Sequence, residues 1–151
     1  GLMAEYFATM ADVYRLTGEL HLEHDQTETA DGQDKSLTAS AIRLSRMTGY
    51  EFDSSEWPIW HDFAQQLRQQ HLEQIETACL RQLQRHVQRE QVILVGAGVG
   101  RFLLPTIAQH LGLQYQDFTA LISSESQGWL DSGDCAPAAA VAYLAAGLVN
   151  R

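Results

Sequence analysis

The sequence predicts an α/β fold, rich in helix with a small sheet. Three segments carry that prediction. Gln91-Val92-Ile93-Leu94-Val95 runs into Gly96-Ala97-Gly98-Val99-Gly100-Arg101 and then into an apolar stretch ending at Leu111-Gly112, the order strand, glycine turn, helix. A long segment after Asp53 repeats apolar residues at helical spacing, and an alanine-rich one closes the chain.

Taken in order, Leu2 to Leu16 places Tyr6, Phe7, Met10, Val13 and Tyr14 at helical spacing, with Gly18 as its C-cap. Glu19 to Lys35 is a long polar loop whose clearest turn is Asp31-Gly32, and loops of this length inside compact domains are often functional. Ser36 caps a helix with Leu37, Ala41, Leu44 and Met47 inward, Arg43 and Arg46 facing outward or toward a ligand, and Gly49 at its end. The start signal Asp53-Ser54-Ser55-Glu56 opens a helix of about eight turns. Its stripe is Trp60, Phe63, Leu67, Ile75, Ala78, Cys79, Leu83 and Val87. His71 and His86 lie on or near that stripe and read as boundary histidines, since no convergent ligand set accompanies them.

The four aliphatic residues before Gly96 suit a buried strand. Leu113 to Ile122 reads as a second strand or an extended link, and Ser123 to Gly133 as polar loop. Asp134 or Cys135 leads to Pro137, which fits the first turn of the closing helix through Val149.

The chain has 151 residues, enough for one substantial core, so a single domain 1–151 is expected. Its formal net charge of −9 argues against nucleic acid or an anionic membrane as the main partner, because both reward Lys and Arg. Cys79 and Cys135 are far apart and lack CxxC partners, so no zinc site or disulfide framework is indicated, and no metal-ligating residues are assigned. There is no leader-like start, and the apolar run from Ala136 to Val149 is too short to cross a bilayer; a cytoplasmic protein is expected. The opening Gly1-Leu2-Met3, already inside an apolar pattern, reads as the start of an excised piece.

The glycine turn is the candidate site. Alternate glycines let the backbone turn tightly and approach a ligand, and amides at a helix start attract anions. The dinucleotide fingerprint needs glycine at its first, third and sixth positions, whereas here Arg101 holds the sixth place. No Gly-Lys-Ser/Thr phosphate loop occurs anywhere. A ligand-free strand-to-helix turn is the alternative.

The element order, with Val95-Gly96-Ala97-Gly98 and Asp134-Cys135-Ala136-Pro137-Ala138-Ala139-Ala140-Val141-Ala142, resembles the C-terminal lobe of the actin, sugar-kinase and acetate-kinase superfamily, where the glycine turn is the adenosine-side loop. More narrowly, Phe7-Ala8-Thr9-Met10-Ala11-Asp12-Val13-Tyr14, Thr29-Ala30-Asp31-Gly32 and Arg43-Leu44-Ser45-Arg46-Met47 resemble the hydantoinase/oxoprolinase-like proteins of tetrahydromethanopterin-linked one-carbon transfer. The resemblance covers nearly the whole chain.

It implies a methanofuran-biosynthesis type of transferase, moving an alkyl group from a furan methyl diphosphate to a tyramine-derived phenol. Gly96, Gly98, Gly100 and Arg101 would then bind the cofactor or diphosphate, and Asp12 and Asp31 would be catalytic, as a base or in contact with Mg²⁺ accompanying a nucleotide or diphosphate. Nothing here matches the Asp-x-Gly-Gly loop of the superfamily's first lobe. The expected partners are therefore a small-molecule substrate and a missing N-terminal lobe, in cis or from a partner chain, with a homodimer also open and the isolated piece inactive. ATP-dependent hydantoinase/oxoprolinase-like hydrolysis or a small-molecule kinase is the second enzymatic reading. A non-catalytic assembly module, pairing through the helix from Trp57 to Arg89, is the third.

Overall fold

The structure is a computed structural model and describes residues 1, 5–85, 91–122 and 129–149. Leu2, His86, Val87, Arg89 and the loop residues 123–128, all named above, lie outside the described residues. The chain forms two compact units, Gly1–Glu73 and Gln74–Arg151. It is α/β, rich in helix, with one two-stranded parallel sheet among the described residues.

In the first unit α1 spans Met10–Leu16, much shorter than its apolar periodicity predicts. Thr9, in extended conformation, is the N-cap, and its backbone N–H donates to Asp12 Oδ2 at 3.1 Å. That local bond starts the helix where the apolar pattern alone would have begun it earlier. The loop that follows holds one 3₁₀ turn, Leu22–His24, before α2, Leu37–Thr48. Ser36 caps α2 as expected, its hydroxyl accepting from the Ala39 N–H at 3.1 Å, and Gly49 ends it at φ +78°. Asp53 likewise accepts from the Ser55 N–H at 2.8 Å, opening the short turn that leads into α3, Trp57–Leu83. Val13 and Leu16 of α1, Ala41 and Leu44 of α2 and Ala64 of α3 form the core of this unit, with Phe52, Trp57, Phe63 and Leu67 around it.

Two expectations about α2 fail. Leu37 is exposed, while Ser40, Arg43 and Ser45 are buried beside Ala41 and Leu44. Arg43, expected at the surface or toward a ligand, has no solvent exposure at all. The inward face of this helix is selected by ion pairing as much as by apolar character.

In the second unit β1, Ile93–Gly96, pairs in parallel with β2, Gln114–Asp117, so that Gly96 lies opposite Asp117. A 3₁₀ turn, Val99–Leu103, and α4, Leu104–Leu111, make the crossover, and Gly112 ends α4 at φ +65°. Leu103, Ile107 and Ala108 are its buried residues, and α4 packs on both strands. β1 is not the buried strand its composition predicts, because Ile93 is 47% and Val95 41% exposed. Side chains alternate across a sheet, so the helix on one face leaves these two uncovered. The last helix, α5, runs over Ala136–Val149. No helix among the described residues is long and apolar enough to cross a membrane.

Candidate functional site

Parallel strands bring their carboxyl ends to one edge, where the chain turns into the following helix, and open α/β sheets bind ligands there. Here that edge is built from Gly96 and Asp117 in register, the turn Ala97–Gly98 and the first residues of the 3₁₀ segment. Gly96 is required by close approach: a Cβ at this position would stand 2.3 Å from Tyr115 Oη and 2.8 Å from its Cε2. Gly98 is required by its backbone, at φ +85° and ψ 172°, a region that is essentially glycine's alone. Its N–H is spent internally, donating to Gly133 O at 2.7 Å. Among the described residues, the N–H groups of Ala97, Val99 and Gly100 have no intramolecular acceptor, and a Cβ at Gly100 would meet nothing within 4 Å.

Arg101 is tied to this turn and to three carboxylates. Its Nε donates to Asp117 Oδ2 at 3.1 Å, Nη2 to Asp131 Oδ2 at 2.6 Å, and Nη1 to Asp134 Oδ1 and, at 3.4 Å, to Gly98 O. All but one of the five guanidinium N–H groups are thereby used. The carboxylates are fixed in turn, Asp117 by the Thr119 N–H and hydroxyl and the Tyr115 hydroxyl, Asp131 by the Gly133 and Asp134 N–H groups. Burial alone would raise the Asp117 carboxyl, but the bonds from Thr119 and Tyr115 and the charge of Arg101 hold it below the usual carboxylate range. Burial works against the Arg101 cation too, and its three carboxylates outweigh that and keep it charged. Three anions around one cation leave this cluster formally at −2. Its field therefore repels an anion from the vicinity of Arg101.

The structure thus brings Gly96, Gly98, Gly100 and Arg101 together. Asp117, Asp131, Asp134 and Tyr115 are the members that sequence reasoning missed, and only Asp117, ending an extended run 21 residues after Gly96, left a positional signal.

Asp12 and Asp31 are also brought together, on the guanidinium of Arg43 in the first unit. Asp12 Oδ1 accepts from Arg43 Nε at 2.9 Å, Arg43 Nη2 at 2.7 Å and Arg15 Nη1 at 3.1 Å, while Asp12 Oδ2 takes the Thr9 N–H. Asp31 accepts from Arg43 Nη1 at 3.1 Å, the Gln33 N–H at 3.2 Å and Arg46 Nη1 at 3.0 Å. Burial is the largest single effect on the Asp31 carboxyl and raises it, but Gln33 and the two arginines together bring it below its ordinary value, so it stays ionised at neutral pH and has little basicity. The network extends through Arg15 to Asp25, and Lys35 completes it at 3.6 Å from Asp25. Asp31 reaches open space: with Gln33, Asp34, Ser36, Thr38 and Arg46 it lines a cavity of about 390 Å³.

His71 lies on α3 as a boundary residue, its Nδ1 hydrogen-bonded to the Tyr14 hydroxyl at 2.5 Å. Burial, reinforced by Glu19 and opposed by Arg68, pushes the Tyr14 phenol up to about 12. Cys79 and Cys135 are free thiols. Among the described residues no three His, Cys, Asp or Glu side chains are grouped so as to hold a metal ion. No protein-family model matches the chain, and no curated protein matches it.

Proposed function

We propose that the chain supplies the glycine-turn lobe of a biosynthetic transferase in methanofuran- and tetrahydromethanopterin-linked one-carbon metabolism. The reaction is alkyl transfer: the phenol oxygen of a tyramine-type acceptor bonds to the furan methylene carbon, the bond from that carbon to the diphosphate breaks, and the diphosphate leaves with the electron pair. The phenol proton passes to a base. The resemblance of the segments around Asp12, Asp31 and Arg43 supports the reaction class. One observation supports the site: the Val99 and Gly100 amides have no acceptor among the described residues and stand at the carboxyl edge of a parallel strand pair, where a ligand oxygen can take them.

Arg101 holds that edge in shape and leaves the contact with diphosphate to the amides. Mg²⁺ would accompany the diphosphate, since it is usually held by one or two carboxylates together with substrate phosphates. Asp31, lining its cavity beside Arg46, is the better placed carboxylate for orienting a substrate hydroxyl, and Asp12 serves by fixing Arg43. The opposite wall of the cleft comes from an N-terminal lobe, in cis or on a partner chain.

A second reading is favoured by the charge at Arg101. A formal −2 cluster suits the hydroxyl-rich nucleoside end of ATP better than its phosphates, as an ATP-dependent hydantoinase/oxoprolinase-like hydrolase or a small-molecule kinase would need. Calorimetric titration of the chain with diphosphate, adenosine and ATP separates the readings. Diphosphate binding that Gly98→Ala abolishes supports the transferase, and adenosine binding without diphosphate binding supports the second reading. No binding of any of the three, in a protein whose amide exchange shows the turn folded, sinks both.

A further inference from the structure

Arg43 and Arg101 spend nearly all their hydrogen bonds inside the protein, and Arg46 does not. Its guanidinium donates one bond, from Nη1 to Asp31 Oδ2 at 3.0 Å, and its other four N–H groups have no acceptor among the described residues. The other basic side chains of residues 1–73, Arg15, Lys35, Arg43 and Arg68, are at most 22% exposed, against 48% for Arg46. The single bond nevertheless positions it. Asp31 is held in turn by the wholly buried Arg43 and by the Gln33 N–H, so the ion-pair chain from Asp12 through Arg43 and Asp31 ends in a guanidinium that is anchored on one side and unused on the other.

Arg46 lines the cavity of about 390 Å³ together with Asp34, Thr38 and Ile42. Thr38, in the first turn of α2, adds a backbone N–H that also lacks an acceptor among the described residues. Asp34 opposes an anion here: its Oδ1 accepts from the Ser36 N–H and hydroxyl, and its charge stays at the rim. We propose that this cavity is an oxyanion subsite, in which the unused N–H groups of Arg46 take the carboxylate or the phosphate ester of a small ligand and the Thr38 amide assists. The planar fork matches two oxygens of either group. Asp34 sets the order between them, because it repels the second charge of a phosphate monoester and so favours a carboxylate. The site lies in the first unit and is independent of what the glycine turn of the second unit binds, which the calorimetric titration reads separately.

NMR titration of the whole chain with acetate and, separately, with methyl phosphate tests this at pH 7, the ionic strength being held constant with sodium chloride. The expected result is saturable shifts of the Thr38 amide and the Arg46 Nε–H with Kd about 1–10 mM, acetate binding the more tightly. The reverse order assigns the subsite to phosphate esters. Arg46→Gln should weaken binding at least about tenfold, and Arg46→Lys, which keeps the charge and loses the fork, should fall between. Asp34→Asn keeps an acceptor for Ser36 and removes the opposing charge, so it should tighten binding about twofold to fivefold. No saturable shift with either anion up to about 50 mM overturns the proposal, as do shifts that Arg46→Gln leaves unchanged in a chain whose remaining spectrum shows the fold intact.

Discussion

Replacing Arg43 by Met should cost the first unit a large share of its stability. The side chain is wholly buried and donates five hydrogen bonds, two to Asp12, one each to Asp31, the Asp34 carbonyl and Ser40. Met fills similar volume but strands Asp12, itself buried, with Arg15 as its remaining counterion. Breaking a buried pair by removing one partner costs about 3–5 kcal/mol. Since Arg15 keeps part of the compensation, the lower end, about 3 kcal/mol, is expected. A unit of this size is worth about 4–11 kcal/mol in total. The control is Arg46→Ala: that side chain is 48% exposed, makes one bond to Asp31 and should cost at most about 1 kcal/mol. The two variants should differ by about 2 kcal/mol, a factor of about 30 in the unfolding constant. Urea unfolding followed by hydrogen exchange of the α1 and α2 amides measures this in the unit concerned. If Arg43→Met lies within 1 kcal/mol of Arg46→Ala, the claim that ion pairing selects the inward face of α2 is wrong.

Other consequences follow from the same geometry. Gly98→Ala should destabilise the second unit by about 1–3 kcal/mol through backbone strain alone, since a Cβ there meets no neighbour. Gly96→Ala acts by a different route, pushing the Tyr115 ring off Asp117; Tyr115→Ala in the same chain should recover most of the loss, and additive thermal shifts would refute the contact. Asp25, Asp31 and Asp117 are held below their ordinary value of 3.8, so their stabilisation is complete above that pH and disappears as pH falls through the lower folded values. An acid titration whose midpoint lies well above pH 4 would contradict it. Tyr14 is shifted the other way, from 10.0 to about 12, so it favours the folded state until the unfolded chain begins to ionise. Stability should therefore fall between pH 10 and about 12 as the unfolded chain ionises, and because burial and Asp117 raise Tyr115 as well, Tyr14→Phe should shrink the late tyrosinate absorbance without removing it.

Helix ends were legible because capping is local. Ser36, Asp53, Gly49 and Gly112 act within three residues of themselves and could be read from the chain. The strand, glycine turn and helix around Gly98 were legible for the same reason, since the backbone there can be made only by glycine. The burial of Arg43 was not, because its chief partner, Asp12, is 31 residues away and periodicity counts an arginine as surface. The saturation of Arg101 was hidden likewise, its carboxylates coming from 16, 30 and 33 residues downstream. Strand exposure was hidden by another cause. An aliphatic run suits a strand covered on both faces, and it cannot state that Ile93 and Val95 are left partly exposed.

Asp12 performs two tasks that neighbouring chemistries would separate. Its Oδ2 closes the first turn of α1 while Oδ1 neutralises two guanidiniums. Asparagine keeps the acceptor for the Thr9 N–H and loses the charge; glutamate keeps the charge, but its extra methylene moves it off one set of partners. The position therefore has no conservative substitute. In a saturation-mutagenesis library selected for folding alone, with no ligand present, residue 12 should be among the least variable positions, and its intolerance would then say nothing about catalysis.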